Sequence, residues 1–367
     1  MTSDEAEIDA TDSPARRSEK PQHSTSPYLT APEDLGSLLP GEPAFRSVQL
    51  REWLYEHPVL DLEEMTNLPT RVRNALGPSH WPFTVEVERS SDRGRTRKWL
   101  FRTPDGAAIE AVLMGYQRRT TLCISSQAGC AMKCTFCATG QFGFERHLKA
   151  GEITGQVAFA AASLRDRPME GSPTRVSNVV FMGMGEPLAN YPSVRETLRR
   201  LIDVMGMSAR SITVSTVGVI PGIDRLAAEP WPVSLSLSLH ATDDLLRESL
   251  VPLNTRYPID DLLAAVRRFT AEKGRRVTLE WTLMDGLNDT PEQARALAAI
   301  ARRVRAHVNI IPMNPTPLAP QRRPPDRQIH RFVAEVKSHG ANVTLRDTRG
   351  TDIDAACGQL RVRAADE

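Results

Sequence analysis

Long apolar runs and an excess of one charge sign are both missing from this chain of 367 residues. No segment approaches the roughly 18 consecutive apolar residues that cross a bilayer, and the polar, acidic N-terminus is unlike a secretory signal peptide. The 46 Lys and Arg residues balance 45 Asp and Glu residues, so the total charge gives no reason to invoke nucleic acid. We therefore expect a soluble, cytoplasmic protein with no membrane partner, and any nucleic acid contact must be argued from local sites.

Cysteine is scarce as well. The chain has five cysteines, and three of them, Cys130, Cys134 and Cys137, lie within eight residues. An odd number with this crowding is a poor pattern for a secreted disulfide framework, and in a cytosolic protein it indicates metal or redox chemistry. The two remaining cysteines are Cys123 and Cys357.

Composition and hydrophobic spacing divide the chain into four segments. Residues 1–35 are rich in Ser, Thr, Asp, Glu and Pro and have few large apolar side chains, so we predict a disordered tail. Residues 36–115 change from helical to strand-like spacing, which predicts an accessory helical unit and a short antiparallel β meander. Residues 116–346 form the main domain, and residues 347–367 form a C-terminal loop.

The main domain repeats a strand, a glycine-containing loop and a helix. This alternation predicts an α/β fold in which parallel strands form a complete or partial (β/α)6 barrel. Functional groups in such folds lie where strands end and loops begin. The predicted strands cover residues 121–126, 176–182, 211–215, 233–239, 277–284 and 308–312, and the predicted helices cover 152–164, 194–205, 223–229, 259–273 and 291–304.

Three cysteines on the loop after the first barrel strand are one ligand short of a closed zinc site. The nearest histidine, His147, is ten residues beyond Cys137 and has no usual finger spacing. A 4Fe-4S cluster held by three thiolates instead leaves one iron open, and that iron can bind S-adenosylmethionine. The Cys-x3-Cys-x2-Cys spacing, with Phe136 before the third cysteine, resembles the radical S-adenosylmethionine superfamily. That family cleaves the cofactor reductively to a deoxyadenosyl radical.

Other strand ends carry candidate cofactor residues. Gly185 and Glu186 follow the second barrel strand and resemble the family loop that binds the methionine amino group, although two glycines there are usually just a turn. The remaining candidates could be turn or cap residues, and His240 could be a core histidine. Their shared rim favours cofactor contacts, as the resemblance also implies. These candidates are Ser215, Ser238, Leu239, His240 and Asn314.

The two spare cysteines carry a more specific resemblance. Cys357 lies among small and polar residues, which suits an accessible, reactive thiol, although a lone cysteine is more often a small buried hydrophobe. Strand parity places Cys123 on the face opposite Ile124, where it can point into the barrel. With these cysteines the chain resembles the RlmN and Cfr type of adenosine methyltransferase. The resemblance spans residues 40–360 and includes segments 121–123, 126–130 and 352–360.

The resemblance implies a radical methylation, because an adenine ring carbon flanked by nitrogens is too electron-poor to attack a sulfonium methyl group. One S-adenosylmethionine methylates Cys357, the nucleophile and methyl carrier, and a second is cleaved at the cluster. Glu110, an acid in an alternating strand that would ordinarily be solvated, matches the proton acceptor of the family. Cys123 then attacks the sulfur of Cys357, and a transient disulfide frees the product.

The same resemblance implies the partners: an adenosine of 23S rRNA, often an adenosine of tRNA, and a flavodoxin-type electron donor. The N-terminal extension favours methylation at carbon 2 over methylation at carbon 8, which is the reaction of the Cfr type. A glycyl-radical activase would share the cluster but has no need of Cys123 and Cys357. A zinc-stabilised RNA-binding module without catalysis is the alternative from a different class, and its metal content would distinguish it.

Local clusters of Arg and Lys are the candidates for RNA contact, although any one is usually a solvated face. The first two clusters below are the better candidates, because a small flanking unit could grip phosphate while a base is extruded into the barrel. The clusters are Arg93, Arg95, Arg97 and Lys98; Arg118 and Arg119; Arg302, Arg303 and Arg305; and Arg322 and Arg323.

Overall fold

One mixed sheet organises the molecule. The computed structural model describes residues 26–347 and 349–360. Its strands are β1 (Thr84–Ser91), β2 (Thr96–Arg102), β3 (Ala108–Tyr116), β4 (Arg119–Cys123), β5 (Gln127–Gly129), β6 (Phe144–His147), β7 (Asn178–Phe181), β8 (Ile212–Thr216), β9 (Ser234–Ser238), β10 (Thr278–Leu283), β11 (His307–Pro312) and β12 (Asn342–Leu345).

Ten of these strands share the main sheet, in the order β1-β2-β3-β4-β7-β8-β9-β10-β11-β12, and β5 and β6 form a separate hairpin. The pairs from β1 to β4 are antiparallel, and the pairs from β4 through β7 to β12 are parallel. Within the described residues no pairing joins the two sheet edges, so the parallel part is an open, partial barrel. This confirms the predicted α/β class.

Helices cover the outer face of the parallel strands. The capping box between Thr290 and Gln293 starts α9, and Gly274, with φ +62°, ends α8 in the left-handed conformation. The helices are α1 (Phe45–Arg51), α2 (Thr70–Ala75), α3 (Ala138–Gln141), α4 (Ala150–Asp166), α5 (Tyr191–Arg199), α6 (Ile220–Ala228), α7 (Asp244–Leu250), α8 (Ile259–Lys273), α9 (Pro291–Arg303) and α10 (Asp326–Ser338). Among the described residues, no helix has both the length and the apolar character needed to cross a membrane.

Strand alternation separates an apolar outer face from a polar inner face. In β9, Leu235 and Leu237 belong to the main hydrophobic core beneath the helices. Ser234, Ser236 and Ser238 point to the opposite side of the same strand, because successive side chains alternate between faces. The inner face of the partial barrel therefore presents polar groups to a hollow interior, which positions the site described below.

The predicted disordered tail extends too far into the chain. Its first 25 residues lie outside the described residues, but short 3-10 helices cover Pro27–Leu29 and Pro32–Leu38. Tyr28 and Leu35 are fully buried, and the Tyr28 hydroxyl donates to the Leu54 carbonyl at 2.7 Å. Burial of these two large side chains offsets the ordering entropy of a segment that is otherwise polar.

The meander is continuous with the barrel sheet. The predicted boundary after residue 115 falls inside the pairing of β3 with β4, in which Val112 lies opposite Cys123. The antiparallel strands thus extend the barrel edge, whereas the helical accessory unit has its own core around Leu50, Leu54 and Met65.

Candidate active site

A cavity of about 150 Å³ opens at the carboxyl ends of the parallel strands. The loops that follow successive strands converge there, as expected for such a sheet. Nine of the residues singled out in the sequence line this cavity, which we call the thiol cavity: Cys130, Cys134, Cys137, Gly185, Glu186, Ser215, Ser238, His240 and Cys357.

The three-cysteine loop is held in place by the β5–β6 hairpin. The Cys130 amide donates to the Gly143 carbonyl at 2.7 Å. Gly129 has φ +71°, and a Cβ there would lie 2.1 Å from the same carbonyl oxygen, so only glycine fits. The loop then turns into α3 at Cys137.

The three thiols on this loop require a positively charged partner to ionise. Burial raises the pKa of each thiol, to about 12 for Cys130, so the thiolate set needs a compensating positive charge. Across residues 26–347 and 349–360, no three His, Cys, Asp or Glu side chains form a group that could hold one metal ion. In an iron-sulfur cluster each thiolate ligates a different iron, and the three sulfurs need not meet at one point.

Glu186 is a buried acid fixed by backbone donors. Its carboxylate accepts from the Leu188 amide at 3.0 Å and from the Val217 amide at 2.9 Å, while its own amide donates to the Gln127 side chain at 2.8 Å. Burial raises the pKa of Glu186 to about 7, and the backbone hydrogen bonds oppose that shift. An acceptor held this way in the cavity wall suits an ammonium group.

His240 lines the cavity and is also a satisfied core histidine. Its Nδ1 accepts from the Thr282 amide at 3.0 Å, and its ring packs edge-to-face on Phe136 at 4.7 Å. Burial, and then the charge of Arg247, lower the pKa of His240 to about 3, so the ring is neutral. Leu239 lies outside the cavity wall: its side chain is in the main core and its carbonyl accepts from Arg247 Nε at 3.1 Å.

Hydrogen bonds around Cys357 fasten the C-terminal loop over the thiol cavity. Asn314 Nδ2 donates to the Cys357 carbonyl at 3.0 Å. The Ala138 amide donates to the Gly358 carbonyl at 2.8 Å, and the Thr139 hydroxyl donates to the Leu360 carbonyl at 2.7 Å. The helix that follows the three-cysteine loop therefore anchors the loop that carries Cys357.

A second, smaller cavity brings Cys123 and Cys357 together. Its lining also includes Asn314 and Arg346, and Cys357 and Arg346 line the thiol cavity too. Ile124 lies in the main core while Cys123 packs on the other face, so the predicted strand parity is correct. All five cysteines are free thiols. Burial raises the pKa of Cys123 to about 12, and the Arg346 charge opposes that shift.

Arg346 is a site residue that the sequence analysis missed. It follows β12 directly, is half-buried and lines both cavities, and the charges of Cys357, Glu280 and Cys123 raise the pKa of its guanidinium group. The only sequence signal was a cation at the end of an unpredicted strand. Its charge faces both spare cysteines.

Glu110 lies under the C-terminal loop rather than in the wall of either cavity. Its carboxylate pairs with Lys98 at 2.8 Å, and Lys98 also donates to the Asp354 carbonyl at 3.0 Å. Burial raises the pKa of Glu110 to about 7, against the opposing charge of Lys98. The meander thus places an acid next to the loop that carries Cys357.

The predicted clusters of Arg and Lys differ in exposure and in whether they pair with acids. Arg97 and Lys98 are buried, so the predicted meander cluster is not a continuous phosphate-binding patch. In the two later clusters, Arg303 pairs with Asp260 and Arg323 with Asp326, each at 2.8 Å. Arg119 is exposed and stacks over the Tyr116 ring at 4.6 Å, so it remains a candidate for RNA contact.

Comparison with known proteins identifies the family. The radical SAM superfamily model matches residues 124–298, and a ribosomal RNA large subunit methyltransferase N-terminal domain model matches residues 38–79. Proteins named probable dual-specificity RNA methyltransferase RlmN are similar. The one from Parafrankia sp. is 49% identical over 87% of this chain and 86% of its own length. The one from Chloroflexus aurantiacus is 48% identical over 88% of each.

A solved structure shows the same architecture. The crystal structure of a radical SAM methyltransferase from Sphaerobacter thermophilus superimposes with a TM-score of 0.86 at 47% identity, over 92% of this chain and 99% of that one. The fold therefore agrees with that of this relative over nearly the whole chain. This chain belongs to the RlmN family of radical S-adenosylmethionine RNA methyltransferases.

Proposed function

We propose that this enzyme methylates carbon 2 of adenosine in 23S rRNA and in tRNA, in the cytoplasm, through a methyl group carried on Cys357. The dual-specificity name of the relatives supports two RNA substrates, and the matched N-terminal domain supports a ribosomal one. The observation that carries the proposal is that Cys357 lines both the thiol cavity and the cavity of Cys123. A cysteine that carries the methyl group must reach both the cofactor in the thiol cavity and the sulfur of Cys123 within one catalytic cycle.

The residues of the thiol cavity divide into two groups by chemistry. Cys130, Cys134 and Cys137 would hold one 4Fe-4S cluster with an open iron. Glu186, with the polar strand ends, would hold S-adenosylmethionine. When bound, the cluster and cofactor supply the radical that removes a hydrogen atom from a methyl group. Two cofactor molecules are consumed per turnover, one as methyl donor and one as radical source, and a flavodoxin-type protein is the proposed electron donor.

The chain's own residues perform the remaining steps. The Cys357 sulfur loses its proton and accepts a methyl group; once that methyl group has lost a hydrogen atom, its carbon bridges the sulfur and the base as a methylene group. Glu110 takes the proton from the ring carbon that has been substituted. The unpaired electron left on the adduct would be taken up by the cluster when bound. Cys123 then loses its proton and attacks the Cys357 sulfur, so that a sulfur-sulfur bond forms as the sulfur-carbon bond breaks; the electron pair of that bond stays with the methylene carbon, which takes up a proton and becomes the methyl group of the product. An external thiol or reductase restores both cysteines.

The deciding experiment identifies the methylated nucleoside and tests whether Cys357 carries the methyl group. The protein is reconstituted anaerobically with iron and sulfide, incubated with reductant, S-adenosylmethionine and either 23S rRNA or tRNA, and the nucleosides are identified by mass spectrometry. We expect 2-methyladenosine from both RNAs, and none after Cys357→Ala at unchanged iron content. Formation of 8-methyladenosine would show that the enzyme methylates carbon 8 and not carbon 2. Deoxyadenosine without any methylated base would show that the cofactor is cleaved but that neither RNA is the substrate.

A further inference from the structure

A second large opening lies at the amino ends of the parallel strands, opposite the thiol cavity. It has a volume of about 830 Å³. Ser234, Thr278 and His307, the first residues of β9, β10 and β11, line it, so it opens at the start of these strands. We call it the basic groove, because Arg210, Arg275 and Arg276 surround its mouth.

The three arginines have no carboxylate partner. Across residues 26–347 and 349–360, Arg210 and Arg276 form neither an ion pair nor a side-chain hydrogen bond, and Arg275 forms no ion pair. Arg275 instead donates to the Pro232 carbonyl and to the Ser234 hydroxyl, each at 3.0 Å. Arg268, by contrast, lies 2.9 Å from the carboxylate of Asp224. Three uncompensated guanidinium groups around one opening attract an anion.

These charges lie close enough to influence one another. The charge of Arg210 adds to burial in lowering the pKa of Arg275, and the charge of Arg276 adds to burial in lowering the pKa of His307. Like charges gathered at a rim, without a compensating acid, cost free energy unless a ligand neutralises them. The rim is therefore organised for a negatively charged group.

The walls supply neutral hydrogen-bonding groups in place of an apolar core. Barrel interiors are ordinarily filled by bulky aliphatic side chains. Here Ser236, Thr278 and Asn309 line the groove. Among the described residues of the wall, the acid is Glu280, which lies at the inner end. Asn309 Nδ2 donates to it at 2.7 Å, and Arg346 faces it from the other side. Glu280 is thus already compensated and does not neutralise the rim.

The groove is a compartment distinct from the thiol cavity. Met182 and Glu280 line both, so these two side chains form the wall between them. A ligand in the basic groove would lie behind this wall and would not occupy the positions of the cofactor residues Glu186, Ser215 or His240. A ligand in the groove would therefore leave the positions of the cofactor residues free.

We propose that the basic groove is a binding site for a phosphoryl group. Planar guanidinium groups match pairs of phosphate oxygens, and the adjoining hydroxyl and amide groups supply the remaining donors. The phosphoryl group can come from a small phosphate compound or from the backbone of an RNA that extends past the barrel. Both sources share this recognition chemistry, and competition separates them.

The test uses inorganic pyrophosphate as the probe. The full-length, anaerobically reconstituted protein is first saturated with S-adenosylmethionine, so that the probe cannot occupy the thiol cavity, and is then titrated by calorimetry. We expect one pyrophosphate per chain. The double variant Arg210→Gln and Arg276→Gln should bind at least about tenfold more weakly. In the part of the chain that the structure describes, both side chains are exposed and form no ion pair or side-chain hydrogen bond, so we expect these changes to leave the fold intact.

A matched control distinguishes loss of this site from a general effect of removing two positive charges from the protein. Arg327 and Arg331 are exposed on α10, and the double variant Arg327→Gln and Arg331→Gln removes the same charge elsewhere. It should bind pyrophosphate as the unmodified protein does. Absence of binding to the unmodified protein, or an equal loss in both double variants, would overturn the proposal. Displacement of pyrophosphate by oligouridylate assigns the site to RNA, and lack of displacement assigns it to a small phosphate compound.

Discussion

Lys98 Nζ lies 2.8 Å from the carboxylate of Glu110, and both side chains are more than nine-tenths buried. The same ammonium group donates to the Asp354 carbonyl at 3.0 Å, in the loop that carries Cys357. Ser91 on the neighbouring strand adds a hydrogen bond to Asp352 at 2.5 Å. The meander therefore does two things at once: it sets the charge state of an acid, and it fastens the C-terminal loop above it.

Replacement of Lys98 by Met should shift the pH dependence of methylation. Burial raises the pKa of Glu110 to about 7, and Lys98 opposes this shift, so its loss raises the pKa further. A proton acceptor acts in its ionised form, so the rate rises with pH through that pKa and the midpoint should move upward. A shift of one unit would lower the ionised fraction of Glu110 at pH 7 from about one half to about one tenth, so the rate there should fall about fivefold.

The rate of 2-methyladenosine formation across pH 6 to about 9 measures this effect, and Lys98→Arg should largely restore the midpoint because it keeps the charge. Lys337, exposed on α10, provides the control Lys337→Met, which should behave as the unmodified protein. An unchanged midpoint in Lys98→Met, together with a lower rate, would limit Lys98 to holding the loop.

Replacement of Cys123 by Ala should trap the RNA on the protein. Without the attacking sulfur, the bond between the Cys357 sulfur and the base has no route to cleavage. A covalent protein-RNA species should then survive denaturing electrophoresis. The double variant that also carries Cys357→Ala should give none, since the carrier is missing. Free methylated product from Cys123→Ala would assign release to another group.

Replacement of Gly185 by Ala should disturb the cofactor loop. Gly185 has φ +99°, and a Cβ would lie 2.5 Å from the Gln127 side chain, which accepts from the Glu186 amide. Backbone strain of about 1–3 kcal/mol and an overpacking cost of about 1–3 kcal/mol should add. Gly286 also has positive φ but open space around it, so Gly286→Ala isolates the strain alone.

Denaturant unfolding of the two glycine variants measures the difference, and S-adenosylmethionine affinity should fall only in Gly185→Ala. Equal destabilisation of both variants would show that the Gln127 contact has no separate cost.

Replacement of Tyr28 by Ala should weaken the junction between the accessory unit and the barrel. Tyr28 is fully buried and stacks on Trp81 at 5.4 Å, and its carbonyl accepts from Arg200 at 2.7 Å. We expect a loss of about 3–5 kcal/mol in the free energy of unfolding. Tyr28→Phe, which keeps the ring and loses only the hydrogen bond to Leu54, should cost about 1 kcal/mol. Similar losses in the two variants would place the stabilisation in the hydroxyl.

Much of the parallel sheet was predictable because its pattern is local. The helix expected at residues 259–273 is α8 with those bounds, since its apolar spacing is regular and Gly274 ends it. In contrast β12 was missed, because Asn342–Leu345 is a short edge strand of mostly exposed residues with little alternation of burial. The packing of Tyr28 was missed for a related reason: its partners are distant in the chain.

The sequence by itself determined the chemistry of the candidate site. Three thiols at fixed spacing, a glycine and an acid after the next strand, and a cysteine before the C-terminus are local patterns with few other uses. Only the tertiary structure decided which groups meet. Arg346 joins Cys123 and Cys357, Lys98 joins Glu110 to the C-terminal loop, and three arginines share a groove. These relationships depend on strand order and loop docking, which bring together residues as far apart in the chain as Lys98 and Asp354, separated by 256 positions, and Ser91 and Asp352, separated by 261.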